Sequence, residues 1–528
     1  MATQIELFEV AEDGRKASVS LPDAQYRAAS AQAQDLAAWN PHLGSADGDW
    51  LRDRDRSVAR VRDLVRNDGH AHSAIVKTSD MLVGGGLRLS AKPDHRALGI
   101  TPEQALEMGD RIEAEWSQFA DDPLKRCDLH RRYTMSGIQM LFMKELRQTG
   151  EACGLMQWKP ERGARYATCV QVVDPDRLSN PQDRMDTEFL RRGVALDEDG
   201  APIGYWFRRA HPGDWMTFSA RSSQWDFVER ETEWGRPVVI HAFEADRADQ
   251  SRGVPDMASI VGEFRMLGEF RNLELANATI NALFAAFIKS GLDPASAAEM
   301  LETSGGSIAN MELTRAQHYS EAPVSLGGVR IPVLPIGDEI SMNSDSRQTS
   351  EFASFQAAFL QSIATATGMS YEQLSMDWSK TNYSSARAAL NEVWRWARAR
   401  SRFFADSVMS PIYLAFLEEA FDKGYVDIPA GAPGFHEMPA AYARAAWIGP
   451  PRGYVDPVKD AQGAQVRMET MTSTLEQECA EQGLDWRDVI AQRARERKEL
   501  DDRGLSTDTS AVLGVVPASD RQEQRPQN

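Results

Sequence analysis

Apolar residues recur at helical spacing through much of the chain, and the clearest run lies late. Phe352, Phe355, Phe359 and Ile363 stand three or four apart, which marks one face of a helix. Gly368 follows as a left-handed stop. A polar loop comes next, carrying Asp377, Trp378, Lys380, Asn382 and Tyr383. Ser384 or Ser385 is placed to cap a second helix. From Ala386 onward, Val393, Trp396, Ala397, Phe403 and Phe404 form one stripe, and Arg395, Arg398 and Arg402 form another. Pro411 should kink or split that helix.

A second long pattern precedes it. Residues 255–288 read as helical nearly throughout, with Ile260, Phe264, Leu267, Leu273, Ile280, Leu283, Phe284 and Phe287 on the apolar side. If continuous, this helix would run about 51 Å, a rod suited to packing against copies of itself. Between the two patterns, residues 292–346 change texture. They predict a short helix over 295–301 and strands over 324–326 and 329–334, turning at Gly327-Gly328.

The N-terminal half alternates helix and strand. Residues 1–50 predict a mostly mobile arm with at most one short helix. Over 51–66, Arg and Asp interleave, which predicts a solvated or inter-subunit ion-paired helix rather than a nucleic-acid patch. Helices are predicted over 70–82, 101–119 and 136–147. Strands follow at 170–178 and 238–243, with a hairpin over 193–210 turning at Asp199-Gly200. Toward the C-terminus, 458–471 and 485–499 read as polar helices, and 506–528 as a disordered tail.

Composition narrows the function. The chain has 528 residues and a formal charge of −19, so it is a poor candidate for gripping phosphates but an acceptable wall for DNA sliding past. No run of 18 apolar residues occurs, and the N-terminus lacks a basic end leading into an apolar core. Cys127, Cys153, Cys169 and Cys479 are scattered, and Cys127 with His130 has no second pair beside it, so reduced structural thiols are expected. The Gly84-Gly85-Gly86 run is no phosphate loop, and no GxxxxGK[ST] occurs. Asp174 and Asp176 offer metal ligands, but Asp-Pro-Asp after a strand reads first as a turn. His241 sits in an apolar strand and reads as a hydrogen-bonded core histidine. No catalytic residue, metal or cofactor is assigned.

Gly368, Tyr371, Glu372, Leu374, Asp377, Ser379, Asn382-Tyr383-Ser384-Ser385, Arg387-Ala388 and Leu390 form one of several separated motifs that resemble the lambda-type group of tailed-phage portal proteins. Another is Arg62, Leu64, Arg66, Asn67, Ala71, Ala74, Ile75, Val83, Gly84, Gly86 and Leu87. Trp116, Phe119, Asp121, Cys127 and Asp128 keep the family's order, as do Arg252-Gly253-Val254-Pro255. So does Trp447 with Gly449-Pro450, Arg452-Gly453, Asp456-Pro457 and Lys459, apart from Gly463 where Ala is common.

The resemblance covers roughly residues 55–500 and implies an α+β, mainly helical portal fold. Its parts would be an arm (1–50), an α/β wing (51–254), a first stem helix (255–290) and an inserted clip (291–346). A second stem helix (347–367), a tunnel loop (368–385), a long kinked helix (386–424), a helical upper wing or crown (425–504) and a disordered tail (505–528) would follow. It implies a non-enzymatic ring of about twelve copies at the capsid vertex of a virion, assembled in the host bacterial cytoplasm. It also implies partners: the terminase large subunit, head-completion connectors, major capsid and scaffold proteins, and duplex DNA in the lumen, with no membrane. Lys380, Asn382, Tyr383 and Ser384 would face the channel. A nucleic-acid-processing packaging enzyme and a non-ring adaptor are the alternatives.

Overall fold

The computed structural model describes residues 8–10, 16–18, 27–30, 35–36, 38–287, 324–326, 329–331, 349–379, 381–453 and 456–505. The predicted tail beyond 505, most of the segment 291–346 and the predicted helix over 295–301 lie outside them. The N-terminal arm carries an antiparallel pair, β1 (Phe8–Val10) with β2 (Lys16–Ser18), besides the short helix α1 (Ala46–Trp50). Ser45 caps α1 by accepting from the Gly48 amide at 3.0 Å.

Two helices follow, α2 (Arg54–Asn67) and α3 (Gly69–Leu82). Asp68 separates them, because its backbone is extended and its side chain caps α3 through the His70 and Ala71 amides. Val58, Val61 and Val65 turn one face of α2 inward. Strand β3 (Arg88–Ala91) then leads to α4 (Pro102–Ala120), which starts with a Thr101–Gln104 capping box, and to α5 (Met135–Thr149). Glycine closes α5 in the left-handed region, and β4 (Glu151–Trp158) begins at once.

β4 is the centre of a three-stranded antiparallel sheet. Its neighbours are β5 (Thr168–Val173) and, much later, β10 (Val239–Phe243). Between them stands a four-stranded sheet of β6 (Leu190–Arg191), β7 (Val194–Leu196), β8 (Pro202–Arg208) and β9 (Trp225–Glu229). The predicted hairpin is β7–β8.

The first long helix, α6 (Val261–Phe287), has 27 residues. It is shorter than the sequence suggested, because 256–260 form turns that bury Met257 and Ile260 rather than helix. At 1.5 Å per residue it runs about 40 Å, not 51. Phe264 and Leu267 are buried, whereas Leu273, expected on the apolar side, is 68% exposed. The side chains of Ile280, Leu283, Phe284 and Phe287 lie outside the described set. Of the inserted module, β11 (Val324–Leu326) pairs antiparallel with β12 (Val329–Ile331). The chain returns in α7 (Thr349–Thr367). The two helices join through rings, Phe270 lying 5.5 Å from Phe352 and 4.5 Å from Phe355. Offset pairs of this kind contribute about 0.5–1.5 kcal/mol beyond their burial.

After α8 (Tyr371–Ser375) and a loop comes α9 (Tyr383–Phe404). A π-helical turn over Ala405–Met409 separates it from α10 (Ser410–Asp422). Pro411, expected to kink or split the helix, follows that turn directly. The backbone is right-handed helical into α10, so the helix is irregular before Pro411 rather than split, and the π turn accommodates the missing N–H. Among the described residues, α10 is the most buried helix. Tyr413 and Phe416 pack on Trp116 of α4, with ring centroids 5.8 and 5.1 Å away.

The C-terminal part comes back onto this body. β13 (Ala445–Ile448), a strand the sequence did not announce, pairs antiparallel with β3 across some 350 residues of chain. Three helices follow: α11 (Pro457–Glu469), α12 (Leu475–Glu481) and α13 (Trp486–Asp502). α12 occupies what read as a connection. Its capping box, Thr474 with Gln477, was in plain view in the sequence.

Candidate functional site

The loop between α8 and α9 is held from both ends. Gly368 takes φ +71°, and a Cβ there would lie 2.4 Å from the Trp396 ring of α9. That position needs glycine for its backbone and for the close approach. Ser370 and Gln373 form a capping box that starts α8. Met376 closes it in the left-handed region, φ +59°, with its side chain exposed. Asp377 then accepts from the Ser379 amide at 3.0 Å, and the Thr381 hydroxyl donates to Glu372 at 3.3 Å.

Asn382, and neither Ser384 nor Ser385, is the cap of α9. Its side-chain oxygen accepts from the Ser385 amide at 2.9 Å, and Ser385 Oγ accepts from the Asn382 amide at 3.2 Å. The helix accordingly starts at Tyr383 rather than Ala386. Of the four residues expected to face a channel, Asn382, Tyr383 and Ser384 are exposed, and Lys380 lies outside the described residues. The Lys459 ammonium stands 5.5 Å from the Tyr383 ring centroid, within cation–π reach. Arg452 donates to Asn391 at 2.7 Å, so the C-terminal part also holds α9.

Beside the loop is a cleft of about 490 Å³, lined by Met369, Met376, Trp378, Val393, Trp394 and Pro450 among others. Lys77 reaches it and donates to the Gln373 carbonyl at 2.6 Å. Burial lowers that ammonium from the ordinary lysine value.

The segment 51–254 contains a different arrangement. Glu151, the first residue of β4, is fully buried and sits between two arginines and a histidine. Arg54 of α2 approaches it at 2.6 Å, Arg252 at 2.6 Å and His241 of β10 at 2.9 Å. Burial works to raise this carboxyl, yet Arg252 and Arg54 carry it well below the usual range. Burial also lowers His241. His241 is thus the hydrogen-bonded core histidine the sequence suggested, with a partner 90 residues away. Arg252 completes its fork on the carbonyls of Leu178, Pro175 and Arg192. The backbone beside it is just as tight. A Cβ on Gly253 would fall 2.0 Å from the Gly150 carbonyl oxygen.

The interleaved Arg/Asp stretch was expected to face solvent or a neighbour. Arg52, Arg56, Arg60 and Arg66 are exposed, but Arg54 and Arg62 pair within the chain. Asp174 forms the expected turn by accepting from the Asp176 amide at 3.0 Å. Asp174, Asp176 and His211 also converge closely enough to share an ion. The Arg62 guanidinium occupies that position, bonded to Asp174 at 2.7 Å and to Asp176. Glu145 borders the same group, and burial together with Asp174 pushes it up to about 7. Cys127 is buried, and burial drives its thiol up to about 12, away from the thiolate a metal would need. No described helix is long and apolar enough to cross a membrane.

Comparison with known proteins now bears on these features. The family described as phage portal protein, lambda family, matches residues 32–400. The chain is 34% identical to the portal protein of Escherichia phage N15 over 499 residues, 93% of each chain. It is also 34% identical to portal protein B of Escherichia phage lambda, covering 89% of this chain and 88% of that one. A probable portal protein of Halomonas phage phiHAP-1 shares 23% identity over 89% of this chain and 85% of its own. Among solved structures, a chain from the neck of an empty GTA particle, computed with C6 symmetry, is similar at TM-score 0.35 and 15% identity. That match covers 72% of this chain and 87% of the other. At that TM-score the likeness carries no weight.

Proposed function

The chain belongs to the lambda family of phage portal proteins, and from that premise we propose that its copies close into a ring of about twelve around a channel for DNA. In this reading α6 and α7 are the stem, residues 291–346 the clip, residues 51–254 the wing and residues 425–504 the crown. The ring sits at one capsid vertex of the virion. The terminase large subunit docks on the clip during packaging, and head-completion connectors take its place afterwards. Capsid and scaffold proteins surround the wing.

One observation supports self-association above the rest. The stem leaves apolar side chains uncovered along its length: Met266 at 52%, Leu273 at 68% and Leu275 at 69% exposure. Each large aliphatic side chain fully buried by a neighbour contributes about 1.5–3 kcal/mol, and a ring supplies that neighbour at every position. Native mass measurement and axial negative-stain images of the purified protein test this. A closed ring is expected. Monomer or dimer at every concentration would overturn it.

The loop over 377–384 is proposed to line the narrowest passage, where Lys380 and Asn382 touch phosphates weakly and transiently. Lys380→Glu should leave rings intact while changing packaging or retention of DNA. An effect on assembly alone would remove the loop from the channel.

A further inference from the structure

We infer that neighbouring copies meet through charge, the arginine stripe of α9 on one copy receiving the acidic hairpin tip Asp197–Asp199 of the next. This rests on the ring reading above and names the surfaces that would close it.

The stripe is out of keeping with the chain that carries it. α9 has five arginines and one glutamate, on a chain of net charge −19. Arg395, Arg398 and Arg402 are spaced three and four apart, so they share one face over about 10 Å of axis. Their side chains are 76%, 72% and 85% exposed. Each has a carboxylate of its own chain nearby: Glu392 at 2.9 Å, Glu481 at 3.8 Å and Asp406 at 3.7 Å. Pairs this exposed contribute little, and a guanidinium has five donors, so capacity for a partner remains.

The complement stands on the wing. Between β7 and β8 the chain turns through Asp197-Glu198-Asp199-Gly200. Asp197 fixes the turn by accepting from the Asp199 amide at 3.0 Å and the Ala201 amide at 2.8 Å. Glu198 and Asp199 are exposed. A cleft lined by Glu198 and Asp199 also takes in Glu188 and Glu231, along with Arg191 and Arg230. A cyclic ring needs a heterologous contact, two different patches on one subunit that fit each other. A cationic stripe and an anionic tip on separate elements of an acidic chain meet that requirement. A phosphate backbone is the other conceivable partner of the stripe, but the net charge of −19 on each subunit disfavours it.

Two charge reversals test the inference. One is Arg395→Glu with Arg398→Glu and Arg402→Glu. The other is Glu198→Lys with Asp199→Lys, which spares the turn-forming Asp197. All five side chains point to solvent, so unchanged thermal unfolding of the subunits serves as the folding control. Each variant alone should lose at least tenfold in ring fraction at low salt. An equimolar mixture should recover rings, because the acidic stripe of one variant then meets the basic tip of the other. Rings from either variant alone at the wild-type level, or a mixture that stays unassembled, would overturn the inference. So would a stripe variant that forms rings but retains less linear duplex, an outcome that gives the stripe to DNA. Wild-type protein that makes no ring would sink the ring reading itself, which separates the two failures.

Discussion

Around the buried Glu151, Arg54 and Arg252 have 3% and 1% of their side chains exposed, whereas on α9 Arg395, Arg398 and Arg402 have 72–85% exposed. The residue type is the same and the circumstances are opposite. In this seam around Glu151 every fork is matched by a carboxylate or a carbonyl of the same chain, and those partners come from α2, β4, the turn after β5 and the turn between β6 and β7. Such a network fixes the relative placement of elements far apart in sequence. On α9 the pairs are loose and wet, and they fix nothing. Charge that is enclosed and fully partnered specifies a fold, while charge left at the surface is available to a second molecule.

Removing the hub of the seam should have the largest effect. Glu151→Gln keeps the shape but leaves two buried guanidinium groups short of a countercharge. Breaking a buried pair this way costs about 3–5 kcal/mol. The triple reversal on α9 should change subunit stability by no more than about 0.5 kcal/mol per site. Urea midpoints of the two variants, measured under conditions where neither assembles, check the contrast. Similar midpoints would erase the distinction between the regions. Next comes the backbone crossing beside the seam. Gly253→Ala places a methyl 2.0 Å from the Gly150 oxygen and 2.5 Å from its carbonyl carbon, atoms that cannot rotate away. A loss of roughly 2–3 kcal/mol is expected, again from the urea midpoint.

Glu145 sharpens the comparison through pH. Burial and Asp174 hold its carboxyl up at about 7, so the folded chain binds more protons there than the unfolded one. Stability from this group is complete below the ordinary glutamate value and falls as pH rises through about 7. The side chain is 24% exposed and Arg62 lies 3.6 Å away, so the loss should be near 2 kcal/mol rather than the full shift. Glu145→Gln should flatten the stability profile between pH 4.5 and 7, as thermal melts across that range would show. A slope that survives the substitution would assign it to another group.

Much of the helical architecture was legible because amphipathic periodicity is local. Phe352, Phe355, Phe359 and Gly368 all behave as their spacing and chemistry implied. What escaped was non-local. Nothing in the sequence near Glu151 or His241 announces that they meet, and β13 reveals its partner β3 only when both are folded. α6 starts later than its apolar spacing predicts, because Ile260 and the residues just before it lie in turns that bury Met257 and Ile260. Asn382 caps α9 although Ser384 and Ser385 also qualify by residue type, and Asn-Tyr-Ser-Ser carries the reciprocal pair. The loop's polar residues are legible in the sequence, but the DNA contact proposed for them would be a property of an assembly rather than of one chain.

The smallest expected effect concerns Asn382, which stands between the two kinds of region. It is exposed, like the stripe, yet both of its capping-box bonds are internal to the chain, like the seam. If the cap is its whole role, Asn382→Ala should cost about 1 kcal/mol and Asn382→Asp almost nothing, since aspartate caps equally well. Amide exchange over 383–386, at the helix's first turn, reads that difference where a global melt would blur it. If Asn382 also meets DNA in the channel, the two variants diverge in another way. Aspartate would keep the slow amide exchange but bring a negative charge to the phosphates, so DNA retention by rings would fall while the helix start stayed intact. Retention unchanged in Asn382→Asp would confine this residue to the internal class, leaving Lys380 and its neighbours to carry the channel contact.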